Sequence, residues 1–258
     1  MPSPTSTNDW LTAAAIGVLA MCVVTFDHEA LGHGSVCILL HGHIRLLTSA
    51  LFRCDIRSGW IDPAGPASNL VIGTIALLCR RFVPKRAVSL RFFLILITAF
   101  SYFWESGYLI RAMLKRDGDL YYFAQFLLGD VSLWQRWLAA AIGLAFYVST
   151  ARLTSNALLQ IWPQAHIARI VARTALIAAT LGAALAALAH VGNGWDDLRD
   201  SILEIGGGSF PLLFIPMRSA KTAQTQPSAV LTRGTAAVML SAITYAAFVA
   251  SLGRGITF

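Results

Sequence analysis

Charge is what this chain has least of. Only 13% of its 258 residues are charged, while 56% are hydrophobic. An average soluble domain carries about 25% charged residues, so too little charge is left to cover a water-exposed surface. A mean hydropathy of +0.63 points to lipid as the solvent, where a spanning helix needs about 20 mostly apolar residues. Cysteine is also scarce. Cys22, Cys37, Cys54 and Cys79 form no Cys-x-x-Cys pair, and no disulfide framework is expected from them. Three lie in apolar runs and read as small buried hydrophobes; Cys54 lies in a polar loop, where a reactive thiol is the alternative. No Lys or Arg occurs in residues 1–9, so the basic region of a signal peptide is missing. We expect a disordered tail there, followed by a retained first span.

The net charge of +7 does not imply nucleic acid, because no basic run is interleaved with aromatics in a polar segment. In a membrane protein such charge collects in loops and meets anionic lipid. Apolar runs predict an all-α polytopic membrane protein of about six spans, near residues 10–26, 64–82, 90–114, 133–150, 169–190 and 234–252. The first run leads into Asp27-His28-Glu29-Ala30-Leu31-Gly32-His33 and a further apolar stretch to Leu40. That is one long helix, or two broken near Gly32 and Gly34. Residues 41–61 read as a loop with short extended segments, and 118–130 as an interfacial stretch anchored by Tyr121 and Tyr122. Residues 192–232 read as a polar connection, with a short helix at 195–205 and an apolar run at 210–216 too short to span. Residues 221–228 look linker-like. The positive-inside rule puts the loop of Arg80, Arg81, Lys85 and Arg86 in the cytoplasm. Arg45, Arg53, Arg57, Lys115 and Arg116 lie on the opposite side, so the rule leaves the topology open.

His28, Glu29 and His33 stand at the end of an apolar run, where ionisable groups cost ~2.5–3.5 kcal/mol each when charged. Two imidazoles beside a carboxylate suggest zinc, with the carboxylate as proton acceptor for a bound water. The usual signature is His-Glu-x-x-His on one helix, and here the spacing is one residue longer. On an α-helix, i and i+5 sit about 140° apart, against about 40° for i and i+4. A single π-bulge would bring i+5 back onto the face, and Gly32 makes that distortion cheap. The other possibility is the true i, i+4 pair, Glu29 with His33, as ligands or as a hydrogen-bonded pair.

Three elements in order carry a resemblance: His28-Glu29-Ala30-Leu31-Gly32-His33-Gly34, then Ala64-Gly65-Pro66-Ala67-Ser68-Asn69 opening the next span, then Asp117-Gly118-Asp119 after an apolar span. Together they resemble the site-2 protease family of intramembrane zinc metalloproteases, as a divergent member, over roughly residues 10–130. The remainder, 131–258, reads as additional helices. The departures are the extra residue in the first motif and a missing proline-rich lead-in to the third. The resemblance implies Zn2+ held by His28, His33 and either Asp117 or Asp119. It makes Glu29 the general base and puts Asn69 near a substrate carbonyl or oxyanion, although an amide that bridges spans fits Asn69 equally. The implied activity is hydrolysis of peptide bonds in transmembrane substrates within the lipid bilayer of a bacterial plasma (inner) membrane. The substrate helix would unwind and pair with the extended segments around residues 44–52. Two other classes compete: an inactive scaffold or regulator of the same build, and a small transporter.

Other polar residues have simpler readings. Glu105 sits in an aromatic span and either reaches the site or pairs with Arg111. Asp27 either orients a ligand or is a solvated cap. His41 and His43 read as interfacial, and His190 with Asp196 and Asp197 as solvated.

Overall fold

The computed structural model describes residues 8–192, 194–215 and 229–257. The expected linker at 221–228 and residues 1–7 of the expected tail lie outside them. Asn8 and Asp9, expected to belong to that tail, are hydrogen-bonded to the bundle instead. The Asp9 carboxylate accepts from the Thr12 amide at 2.7 Å, capping α1 (Trp10–Phe26). The Asn8 amide oxygen accepts from Trp162 Nε1 and from the Leu231 amide.

The first crossing is one continuous helix from Trp10 to Leu39. It slips from α1 into a π-helical stretch, Asp27–Gly34, and returns to α geometry in α2 (Ser35–Leu39). After it come β1 (Ile44–Leu47) and β2 (Phe52–Cys54), then α3 (Ala64–Cys79), α4 (Val88–Lys115), α5 (Asp119–Leu128), α6 (Leu133–Leu159) and α7 (Ala165–Leu188). Among the described residues, five helices are long and apolar enough to cross a membrane, and α3 is a shorter apolar one. The fold is an all-α polytopic membrane protein. α6 runs nine residues past the expected 150, with Thr150 and Thr154 buried there. The interfacial stretch is the helix α5, with Tyr121 buried and Tyr122 exposed.

Packing fixes the relative directions. Gly17 of α1 faces Ala175 of α7, and Gly182 of α7 lies near Met21, so α1 and α7 run parallel in close contact. Small residues permit such approach where lipid removes the usual hydrophobic drive. Gly73 and Asn69 of α3 meet Thr98 and Glu105 of α4, and Gly143 and Tyr147 of α6 meet Ile110 and Phe103; α4 is therefore antiparallel to both.

Residues 190–215 differ from expectation. They do not stay at one end of the bundle. The chain passes through α8 (Gly194–Ser201), a π turn at Ile202–Gly207 and a 3-10 turn at Phe210–Leu213. Gly194 starts beside the Ala187 carbonyl, and a methyl at Gly206 would meet Thr180. Arg173 Nε donates to the Leu213 carbonyl. Each step descends α7 by seven residues, or about 10 Å at ~1.5 Å per residue. At the far end the Ala229 amide donates to Ile161 O and the Asp9 amide to Leu231 O. This interrupted crossing, whose described residues pass down α7, is additional to α1, α3, α4, α6 and α7. The last helix, α9 (Thr235–Phe248), returns through a π turn (Val249–Gly253) to β3 (Ile256–Thr257), which pairs with β1. The sheet order is β2-β1-β3. Because α1 packs against both α7 and α9, residues 10–130 and 131–258 interleave.

One cysteine expectation is overturned. Cys37, at the end of the first helix, is disulfide-bonded to Cys54 in β2. The spacing gave no hint because the hairpin folds back over a 17-residue separation. Cys22 is buried and Cys79 exposed, both free.

Candidate metal centre

The π-helical stretch answers the spacing problem. His28 and His33, five residues apart, lie with ring centroids 5.0 Å from each other. Both are buried. The third partner comes from the turn between α4 and α5. Arg116 closes α4 in the left-handed region (φ 60°), and Gly118 follows at φ 91°, a conformation that favours glycine. That reversal starts α5 at Asp119, whose amide donates to Tyr108 Oη at 2.9 Å. Asp119 Oδ2 then stands 3.4 Å from His33 Nε2 and 3.8 Å from His28 Nε2. One donor atom from each of the three residues falls within 4.8 Å of the others. Asp117 points elsewhere and accepts from the Tyr122 hydroxyl at 2.6 Å.

The outer ring nitrogens fix the tautomers. His33 Nδ1 lies 2.7 Å from the Ile61 carbonyl oxygen. A carbonyl only accepts, so Nδ1 carries the proton and Nε2 offers a lone pair. His28 Nδ1 lies 3.1 Å from both Glu105 Oε1 and Asn69 Nδ2; with the ionised Glu105 carboxylate as acceptor, its proton also sits outward. Carboxylate and carbonyl partners of this kind orient metal-binding imidazoles. The His28 ring is stacked on Trp104 at 4.6 Å, and His33 on Phe52 at 5.6 Å.

The opening of α3 completes the cradle. A methyl on Gly32 would sit 2.6 Å from Gly65 Cα, and one on Gly65 would sit 2.6 Å from His28 Nε2. Only glycine at both positions lets the α3 backbone reach the imidazoles. Ser68 Oγ donates to the Asp27 carbonyl at 3.1 Å, tying α3 to the π stretch. Asn69 Nδ2 donates to Glu105 Oε1 at 2.7 Å. It therefore bridges α3 and α4 behind His28, and it is not among the residues that line the cavity.

A cavity of about 1090 Å³ opens onto the three donors, and Glu29 lines it. Glu29 is buried, with Oε2 lacking a hydrogen-bond partner. Asp62 on the rim is pushed up to about 6, by burial first and then by the Asp119 charge. Glu204, from the interrupted crossing, also lines the cavity, and its Oε2 is buried without a hydrogen-bond partner. Sequence reading missed Glu204; the available signal was a lone carboxylate in the apolar run Ile202-Leu203-Glu204-Ile205. Glu105 reaches the site, while Arg111 instead approaches Asp200 (3.9 Å) and covers the Tyr108 ring.

The remaining candidates stay apart. His43 pairs with Asp55 at 3.1 Å on the surface, and His41 is exposed. His190 and Asp197 form a 2.9 Å pair that is buried rather than solvated. Comparison with family models, curated proteins and solved structures gives no match for this chain.

The donor chemistry fits zinc. Two imidazole nitrogens and one carboxylate form a three-ligand set of the type that leaves a fourth position open in catalytic sites. Ligands of a tetrahedral zinc at ~2.0–2.1 Å stand about 3.4 Å apart. The separations to Asp119, 3.4 and 3.8 Å, match that span.

Proposed function

We propose that this chain is an intramembrane zinc metalloprotease, a divergent relative of the site-2 protease family, acting on membrane-embedded protein segments. The observation that carries the reading is the convergence of His28 Nε2, His33 Nε2 and Asp119 Oδ2 on one cavity that Glu29 also lines. His28, His33 and Asp119 hold the metal. Zinc, when bound, supplies Lewis acidity and a water acidified toward neutral pH. Glu29 takes the proton from the attacking water and returns it to the departing amine. Its free carboxylate oxygen and its burial suit a base held away from bulk solvent. Glu105, clamped by Asn69, keeps the His28 proton on Nδ1; Ile61 O does the same for His33. We expect the chain in a bacterial plasma (inner) membrane, in keeping with the family it resembles.

Zinc content and turnover of a transmembrane model substrate, compared with Glu29→Gln, test the reading. The expected result is about one zinc per chain in both proteins and cleavage only in the native one. Zinc in both with cleavage in neither would favour the inactive-scaffold reading; cleavage by Glu29→Gln would remove Glu29 as the base.

The strand that meets an unwound substrate is β2 rather than the 44–47 segment. β1 is the central strand, with β2 and β3 on its two sides, whereas Phe52, Arg53 and Cys54 of β2 line the cavity. An extended substrate adding to the outer edge of β2 would lie beside His33. Methylating one pairing amide of a peptide substrate should slow cleavage roughly tenfold, the loss of about one hydrogen bond. Equal rates would exclude strand pairing.

A further inference from the structure

The two ends of the bundle differ in chemistry as well as in shape. One end carries the sheet, α5, the cavity mouth and the Cys37–Cys54 disulfide. The disulfide joins the end of the first helix to β2, whose Phe52 stacks on His33. Disulfides persist in oxidising compartments and are rare in the reducing cytosol. The opposite end carries Asp9, the α3–α4 loop and the α6–α7 loop.

Charge divides along the same axis. Of the thirteen acidic residues, only Asp9 lies in the half away from the cavity; the other twelve lie in the cavity half. Described basic residues are even, nine in each half. The even count is why counting Lys and Arg does not orient the chain. What differs is net charge: the end away from the cavity is strongly positive, while the cavity half holds more acids than bases, with Asp27, Glu29, Glu105 and Asp197 buried rather than at the surface. A cytoplasmic leaflet rich in anionic lipid attracts the first.

We propose that the cavity opens into an oxidising compartment outside the cytoplasm, and that the basic opposite end rests on the anionic cytoplasmic leaflet. Taken with the protease reading, on which this last step rests, the substrate is a membrane-protein segment presented from the extracytoplasmic side. The disulfide then holds the β2 edge beside the metal-binding histidines, where no cytosolic reductant reaches it.

The test uses the full chain in spheroplasts of a bacterial host. Asp130→Cys, on the exposed α5–α6 loop, and Arg86→Cys, on the exposed α3–α4 loop, are made separately in a Cys79→Ser background. Each is treated with a membrane-impermeant maleimide. Asp130→Cys should label in intact spheroplasts, and Arg86→Cys only after permeabilisation. In acid-trapped membranes Cys37 and Cys54 should take up maleimide only after reduction. Labelling of Arg86→Cys in intact spheroplasts, shielding of Asp130→Cys there, or free Cys37 and Cys54 in trapped membranes would each overturn the orientation. None of these readouts depends on metal or cleavage, so failure of the orientation and failure of the protease reading are separable.

Discussion

The helix Trp10–Leu39 and the helix Thr235–Gly253 both slip from α into π geometry at the cavity end of the bundle. The first does so through Asp27–Gly34, with two histidines and a glutamate; the second through Val249–Gly253, with no His, Cys, Asp or Glu. In the second the widened turn serves contact: a methyl on Gly253 would meet the Ala186 carbonyl at 3.0 Å. In the first it serves contact and alignment together. Gly32 meets Gly65, and the same widening carries His33 round to the side of His28. A π turn is therefore a packing device in this fold. It becomes a site only where the side chains it turns inward can hold something.

The largest expected effect breaks that alignment. Inserting one alanine after Leu31 adds a further ~100° between the histidines and should reduce zinc from about one per chain to near zero. Deleting Leu31, which is exposed, restores the four-residue spacing and should keep zinc bound. If both variants retained zinc, the π geometry would not be what aligns the pair. Next in size is Gly65→Ala, which puts a methyl against His28 Nε2. Zinc affinity measured by chelator competition should fall at least a hundredfold, with the helical circular dichroism unchanged; native affinity would show that the α3 approach is not needed. Glu105→Gln keeps the shape but weakens the partner of His28. Loss of such partners costs about 10–100-fold in metal affinity; no change in chelator competition would mean that Glu105 does not support His28.

The smallest effect concerns the rim. Burial and the Asp119 charge raise Asp62 to about 6. A raised carboxylate pKa means that the folded state binds more protons than the unfolded one between about pH 4 and pH 6, so its contribution to stability falls as pH rises through that window. Asp62 is only half-buried and screened by water. Asp62→Asn should therefore stabilise the protein by about 1 kcal/mol at pH 7 and by nothing below about pH 4, read as a thermal shift in detergent at the two pH values. A pH-independent shift would assign the effect to packing instead.

Much of this was readable from residue order. Long apolar runs located the spans, since length and hydropathy are local properties. The six-residue His28–His33 segment with Gly32 raised π geometry as one way to join both histidines, beside the i, i+4 pair of Glu29 with His33 and a helix break near Gly32. Between Asp117 and Asp119 the sequence could not decide: the outcome depends on the left-handed Arg116 and Gly118 turn, which starts α5 at Asp119. The partners of the outer ring nitrogens, Glu105 and Ile61, were hidden for a similar reason, being 77 and 28 residues away. The interrupted crossing was the hardest to see. Its short α, π and 3-10 pieces never make an apolar run of spanning length, and neighbouring helices take up its backbone groups, as Tyr147 does by donating to Gly208 O at 2.7 Å. Glu204 entered the cavity unannounced with it. β3 is two residues long, and its pairing with β1 closes over some 200 residues.

The central claim is that His28, His33 and Asp119 form a metal centre. Its most direct measurement is the zinc content of detergent-purified protein prepared without chelator, beside His33→Ala. About one zinc per chain in the native protein, lost in a folded His33→Ala, is the predicted result. A folded native protein without zinc, or a His33→Ala variant that keeps it, would contradict the account.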